Sequence, residues 1–324
     1  MNNKKSLKPE LIVQVTRGNI IESQHSGWIC VLNKDKKVIY KKGDILDKVY
    51  LRSCAKPIQA IPTVENIEIT GKELAIICGS HLGSEKHLEV LNKFMKRHRI
   101  KSSDLKCGIH TPSDENEKIK LIKKSISPNQ LHNNCSGKHL GMLALCKKCN
   151  WDLKSYLSSK HPLQKIILKN VENLSETTDI TIGVDGCGLP TFGLPIINIA
   201  YLFSNFTGKS NKTYKKIVSA MTKYPFLIGG ENQTDTEIIR KSKNKLLAKV
   251  GGAGIIVVVS KGNCAVVKIA DGSPNIRSYV ILNLIIKLGW LKEREIRNST
   301  LEETFKGEIK NHAGKPVGKN IILI

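Results

Sequence analysis

Aromatic residues are scarce, at 5% of a 324-residue chain. That removes the stacking platforms on which single-stranded nucleic-acid binders rely. Arginine is scarce too: only eight of the 52 basic residues are arginine, and lysine lacks its planar fork for phosphate and base edges. Acidic residues number 28, which leaves a net charge of +24. Such a balance suits nucleic acid or another acidic surface. Yet the lysines spread along the whole chain, and the densest run, 93–101, reads as the polar face and end of a helix. The charge is therefore read as solvated surface, and no nucleic-acid partner is expected. No apolar run approaches the ~18 residues that a membrane span needs, so no membrane partner is expected. The N-terminal stretch is basic but has no apolar core of the secretory type. A cytoplasmic location is the expectation.

What is present is a globular composition, 40% hydrophobic and 25% charged. A chain of this length can bury one large core. Nine cysteines, an odd number, point to reduced thiols. Cys30, Cys78 and Cys264 lie in apolar runs and read as small core residues. Cys135 and Cys187 lie in polar, glycine-containing surroundings.

Patterning places strands at 11–15, 28–32 and 37–40, and again at 245–250, 254–260 and 264–270. Between them it places helices at 55–64, 85–97, 115–124, 137–148, 163–174 and 212–224, with one short strand at 180–184. A helix follows at 276–288. Strands at both ends with helices between predict an α+β fold. In that fold the N- and C-terminal strands share one antiparallel sheet, and the helical middle is an insertion beside a cleft. One unit, 1–324, is expected, with a sheet lobe from 8–50 and 240–324 and a helical lobe from 51–239.

Several segments carry chemistry. Arg52-Ser53-Cys54-Ala55-Lys56-Pro57 holds a Ser-x-x-Lys. On a helix that starts near Ser53, Lys56 would face the same way one turn on, and Pro57 suits a first turn. A lysine kept neutral by burial or nearby cations can take a serine proton. Cys78-Gly79-Ser80-His81 ends a buried element at a turn and offers a second hydroxyl, Ser80. His132-Asn133-Asn134-Cys135-Ser136-Gly137-Lys138-His139 puts Cys135 at a helix N-terminus, where thiolate is favoured, with Lys138 on the same face. Gly183-Val184-Asp185-Gly186-Cys187-Gly188 is a loop leaving a strand. Cys135 and Cys187 could share a zinc ion, but two cysteines do not complete a site. Cys146 and Cys149 form the one Cys-x-x-Cys. Cys149 lies roughly 21 Å further along the helix than Cys135, too far to share its metal. Lys249-Val250-Gly251 is a Lys-x-Gly on a strand beside the cleft. Alone, each has a plainer reading: Ser53 and Ser80 as caps, Lys249 as a surface lysine before a hairpin.

Taken in order, these segments resemble the rhizobial-type L-asparaginase family, also called the asparaginase II family. The likeness includes Arg17-Gly18-Asn19-Ile20-Ile21-Glu22-Ser23-Gln24-His25 and Asp271-Gly272, and so runs nearly the full chain. The resemblance implies a fold similar to penicillin-binding proteins, serine β-lactamases and serine-dependent glutaminases. It implies hydrolysis of L-asparagine to L-aspartate and ammonia, and a homodimer. The family's Ser–Lys pairs fall on Ser53 with Lys56 and on Ser80 with Lys249. Its zinc ligands fall on Cys135, Lys138 and Cys187. Arg52, His81, Asn134, His139 and Asp185 fall on the substrate-binding side. Two positions depart from the family pattern. Ser84 stands where glycine is commoner, and Gly252-Ala253-Gly254 lacks the usual acidic residue before the last glycine. Glutamine differs from asparagine by one methylene, worth only about 1–3 kcal/mol in a pocket, so a glutaminase or other small-amide hydrolase is the alternative.

Overall fold

The computed structural model describes residues 6–208 and 210–324. Its strands are β1 (Glu10–Arg17), β2 (Ile20–Leu32), β3 (Val38–Lys42), β4 (Lys48–Tyr50), β5 (Thr181–Val184), β6 (Pro190–Pro195), β7 (Leu247–Gly251), β8 (Ile255–Ser260), β9 (Asn263–Ile269), β10 (Glu308–Lys310) and β11 (Pro316–Ile322). Its α-helices are α1 (Lys56–Gln59), α2 (Ile61–Asn66), α3 (Gly71–Ile77), α4 (Glu85–Arg97), α5 (Glu115–Lys123), α6 (Ser136–Lys148) and α7 (Pro162–Ser175). They continue with α8 (Ile196–Gly208), α9 (Lys212–Lys223), α10 (Thr234–Lys241), α11 (Pro274–Lys287), α12 (Glu293–Ile296) and α13 (Thr300–Lys306). None is long and apolar enough to cross a membrane among the described residues.

The fold is α+β, as the strand–helix–strand order predicts. The main sheet runs β10-β11-β1-β2-β9-β8-β7, with β3 also on β2. Its pairings are antiparallel; β2 meets β9 from Gly27↔Ile269 to Leu32↔Cys264. A smaller sheet, β4-β6-β5, lies apart from it.

The sequence of the central strands explains the layering. Residues 28–32 of β2 and 255–259 of β8 are buried without a break, because helices cover both faces of the sheet. Alternation sorts their side chains. Trp28, Cys30, Leu32, Ile255, Val257 and Val259 join the core shared with α3, α6, α7 and α8. Ile29, Val31, Ile256 and Val258 join a second core under α11. Cys30, Cys78 and Cys264 are fully buried thiols, as their apolar contexts predict; burial pushes Cys30 and Cys78 up to about 12.

Three local expectations shift. The helix expected over 55–64 is divided at Ala60 into α1 and α2, where Pro62 has no N–H to continue the ladder. Ser53 does not open an α-helix; it lies in a 3-10 turn, Arg52–Ala55, that runs into α1. Patterning gives no strand after 288, yet β11 completes the sheet against β1. Pro316 and Gly318 mask it, since both are poor strand formers.

Helices α3 and α6 approach closely. A Cβ on Gly137, in the first turn of α6, would lie 2.4 Å from the Ile76 carbonyl oxygen of α3. Gly137→Ala should therefore push α6 outward and cost roughly 1–3 kcal/mol, read as a lower urea midpoint at unchanged m.

Candidate active site

The cleft is a cavity of about 570 Å³ between the small sheet, the N-terminus of α6 and the end of β7. Arg52, Ser53, Ser80, His81, Asn134, Cys135, Asp185 and Cys187 line it. Every sequence-derived site residue thus falls on this wall or, for Lys56, Lys138, His139 and Lys249, is buried.

Ser53 is placed by the end of β4. Leu51 extends the pairing with β6 by donating its N–H to the Phe192 carbonyl at 2.9 Å. The chain then turns sharply at Arg52, whose φ is +47°. This left-handed conformation is uncommon for a residue with a Cβ. It delivers Ser53 to the cavity and Lys56 to the interior.

Lys56 is completely buried. Its Nζ donates to the Gly79 carbonyl at 2.6 Å, the Asn134 carbonyl at 2.9 Å and Ser80 Oγ at 2.9 Å. Burial, aided by the nearby ammonium groups of Lys138 and Lys249 and opposed by Cys135 and Cys187, lowers its pKa to about 8. Ser80 is held in turn by its own N–H, which donates to the Ile228 carbonyl at 2.6 Å. The segment passes so close to 227–228 that a Cβ on Gly79 would lie 2.4 Å from the Leu227 oxygen.

Arg52 and Asp185 form the charged rim. Arg52 Nε donates to Asp185 Oδ1 at 2.8 Å, which also accepts from the Gly186 N–H at 2.9 Å. Burial works against the Asp185 carboxylate, but Lys138 and Arg52 outweigh it and lower its pKa. His81 is buried and neutral, its pKa driven well down by burial and by His87, Lys56 and His132. Ser136 Oγ donates to the Leu131 carbonyl at 3.0 Å, so it accepts from His81 Nε2 at 2.9 Å. His139 does not line the cavity. Its Nδ1 accepts from the Tyr156 hydroxyl at 2.7 Å, and that hydroxyl accepts from the Lys106 N–H at 3.0 Å.

The two polar cysteines meet. A hydrogen bond from Cys187 holds the Cys135 thiol well below its usual range against burial, with Lys56 and Lys138 assisting. The same bond and burial raise Cys187. Burial disfavours the Lys138 ammonium, yet Cys135, Cys187 and Asp185 outweigh it and raise its pKa. Two sulfurs and one amine therefore converge. Among the described residues no group of three or more His, Cys, Asp or Glu is arranged to hold a metal, so a metal here depends on the lysine.

The second Ser–Lys pair differs from its expected geometry. Ser80 is hydrogen-bonded to Lys56, whereas Lys249 Nζ bonds Asp235 Oδ2 at 3.1 Å and the Val250 carbonyl at 2.9 Å. Asp235 was not visible in the sequence as a site residue. It lies in the first turn of α10, a helix that apolar spacing alone does not mark. His110, Ser113, Asn133 and Gln233 also line the cleft from loops with no motif of their own.

With this geometry in place, comparison with known proteins is direct. The chain matches the model of the L-asparaginase II family over residues 13–321. It belongs to that family, and is a hydrolase. No curated protein gives a significant match. Among solved structures, the chain is similar to a β-lactamase from Mycobacterium bovis at 11% identity and a TM-score of 0.42, over 82% of this chain and 95% of that one. It is also similar to unliganded simvastatin synthase from Aspergillus terreus, at 11% identity and a TM-score of 0.32, over 79% of this chain and 91% of that one.

Tyr156→Phe would leave a buried imidazole nitrogen and the Lys106 N–H without their partner. It should cost about 2–4 kcal/mol, measured by denaturant unfolding.

Proposed function

We propose that this chain is an L-asparaginase, releasing ammonia from the side-chain amide of L-asparagine through a serine ester. The observation that carries the reading is Lys56: a buried lysine, bonded to Ser80 Oγ, one turn beyond Ser53. As a neutral amine it spends two N–H groups on the Gly79 and Asn134 carbonyls. Its lone pair then faces Ser80 and can take a proton.

Ser53 Oγ attacks the amide carbon, and its proton passes by Ser80 toward Lys56. The tetrahedral intermediate collapses when the C–N bond breaks and Ser80 returns that proton to the leaving nitrogen, giving ammonia. Water then attacks the ester carbon, the C–Oγ bond breaks, and aspartate leaves with Ser53 restored. Arg52 and Asp185, opposite charges on one rim, match the α-carboxylate and α-ammonium of an amino-acid substrate. His81 and Asn134 complete that wall.

Cys135, Cys187 and Lys138 fit a zinc ion in donor type: two sulfurs in contact and a lysine beside them whose ammonium would give up its proton to the metal. When bound, the ion would supply a fixed positive charge that orients the substrate's amino-acid end. In the same reading, Cys135→Ala loses the zinc and raises KM for L-asparagine.

The test is ammonia release from L-asparagine and L-glutamine in parallel, with and without a chelator. Turnover of asparagine is expected to exceed that of glutamine, and Ser53→Ala to lose at least about 100-fold in kcat. Retention of more than a few per cent would remove Ser53 from its role. Because Lys56 is charged below its pKa of about 8, kcat/KM should climb with pH to a plateau near there. A flat profile from pH 6 to 8 would contradict Lys56 as the base.

A further inference from the structure

Lys249 and Asp235 form an ion pair that the reaction above does not use. Lys249 is 1% exposed and Asp235 is fully enclosed. A lone ammonium at such a site pays a desolvation cost of several kcal/mol and tends to lose its proton. Here it does not stand alone. Asp235 Oδ2 accepts from Lys249 Nζ and from the Val250 N–H, each at 3.1 Å. Asp235 Oδ1 accepts from the Thr236 N–H at 3.0 Å. Its place in the first turn of α10 adds the favourable end of the helix dipole. Burial opposes the carboxylate, but Lys249, these bonds and Arg277 outweigh it and keep it ionised.

Two consequences follow from the geometry. The N–H groups of Lys249 are directed to Asp235 and Val250, while Ser80 receives its hydrogen bond from Lys56. And the carboxylate that holds the lysine also holds the N–H of Val250, which with Gly251 and Gly252 forms one wall of the cleft. Arg277 Nη1 lies 3.4 Å from the Gly251 carbonyl, behind the same wall. Two cations and one anion thus sit behind it, a net positive charge that would favour negative charge building on a carbonyl attacked in the cleft.

We propose that Asp235 is a positioning residue that holds Lys249 in a buried ion pair behind the cleft wall, so that Lys249 serves the reaction through its charge and not by passing a proton. This rests on the asparaginase reading. It assigns proton transfer to Lys56 and Ser80 alone.

The experiment measures kcat, KM and Tm for the full-length chain and four variants with L-asparagine. Arginine keeps a charge but cannot give up a proton. Lys249→Arg should therefore keep about a tenth of kcat or more, while Lys249→Met falls about 100-fold. Asp235→Asn should lose about 100-fold in kcat with KM within about threefold of the parent. The double variant Asp235→Asn/Lys249→Met removes the buried ammonium together with its carboxylate and leaves only the partly buried Arg277 charge. It should regain Tm relative to Asp235→Asn and stay as inactive. A folded Lys249→Arg as inactive as Lys249→Met would overturn the proposal by requiring a transferable proton. Parental kcat in Asp235→Asn or in the double variant would overturn it by making the pair purely structural. If Lys249→Arg fails to fold, Asp235→Asn and the double variant decide. An inactive parent chain would overturn the asparaginase reading instead, which separates the two failures.

Discussion

A single buried amine ties the cleft together. Lys56 satisfies backbone carbonyls from two segments far from it in sequence, at Gly79 and Asn134, and a hydroxyl at Ser80. An unpaired buried carbonyl is costly, and so is an unpaired buried ammonium. Each group therefore makes the others tolerable. The 3-10 turn carrying Ser53, the strap carrying Ser80 and the turn before α6 are held at one point by these bonds. The same burial that demands partners also weakens the charge, leaving the amine near the balance between its two protonation states. Architecture and reactivity here have one cause.

A second buried charge behaves differently because its surroundings differ. Lys249 is hydrogen-bonded to a carboxylate at 3.1 Å, whereas the hydrogen bonds of Lys56 go to two carbonyls and a hydroxyl. Low polarity around a lysine pushes it toward the neutral amine; a fixed anion beside it pushes back. Two buried lysines of one cleft thereby differ through their neighbours rather than through their own chemistry. The family to which the chain belongs supplies the reaction class; the different partners of the two lysines come from the local packing.

The outline of the fold was legible in the sequence because apolar spacing is strong where both sheet faces are covered. Runs such as Ile255–Ser260 leave little choice. The helix α4 begins and ends where its polar and apolar periods predict. The C-terminal strand β11 was not legible, since its proline and glycine imitate a loop and its pairing partner lies at the other end of the chain. At the site, motif residues were found because short spacing encodes a shared face. Ser80 and Lys56 needed the fold to meet, and Asp235 needed it altogether. A carboxylate in the first turn of a helix looks the same in sequence whether it caps the helix or holds a lysine.

The pairing of the first strands with the last ones has a consequence during synthesis. β1 and β2 leave the ribosome early, but their neighbours β9 and β11 are made near the end. At about 5–20 residues per second, translation keeps those edges waiting for many seconds. In that interval Ile12, Val13, Ile29 and Val31, later enclosed, have no sheet to join. A nascent chain of this topology is thus a natural client for factors that shield apolar strands. A version truncated before β9 would keep Ser53, Ser80 and both lysines of the cleft and still lack the completed sheet behind them.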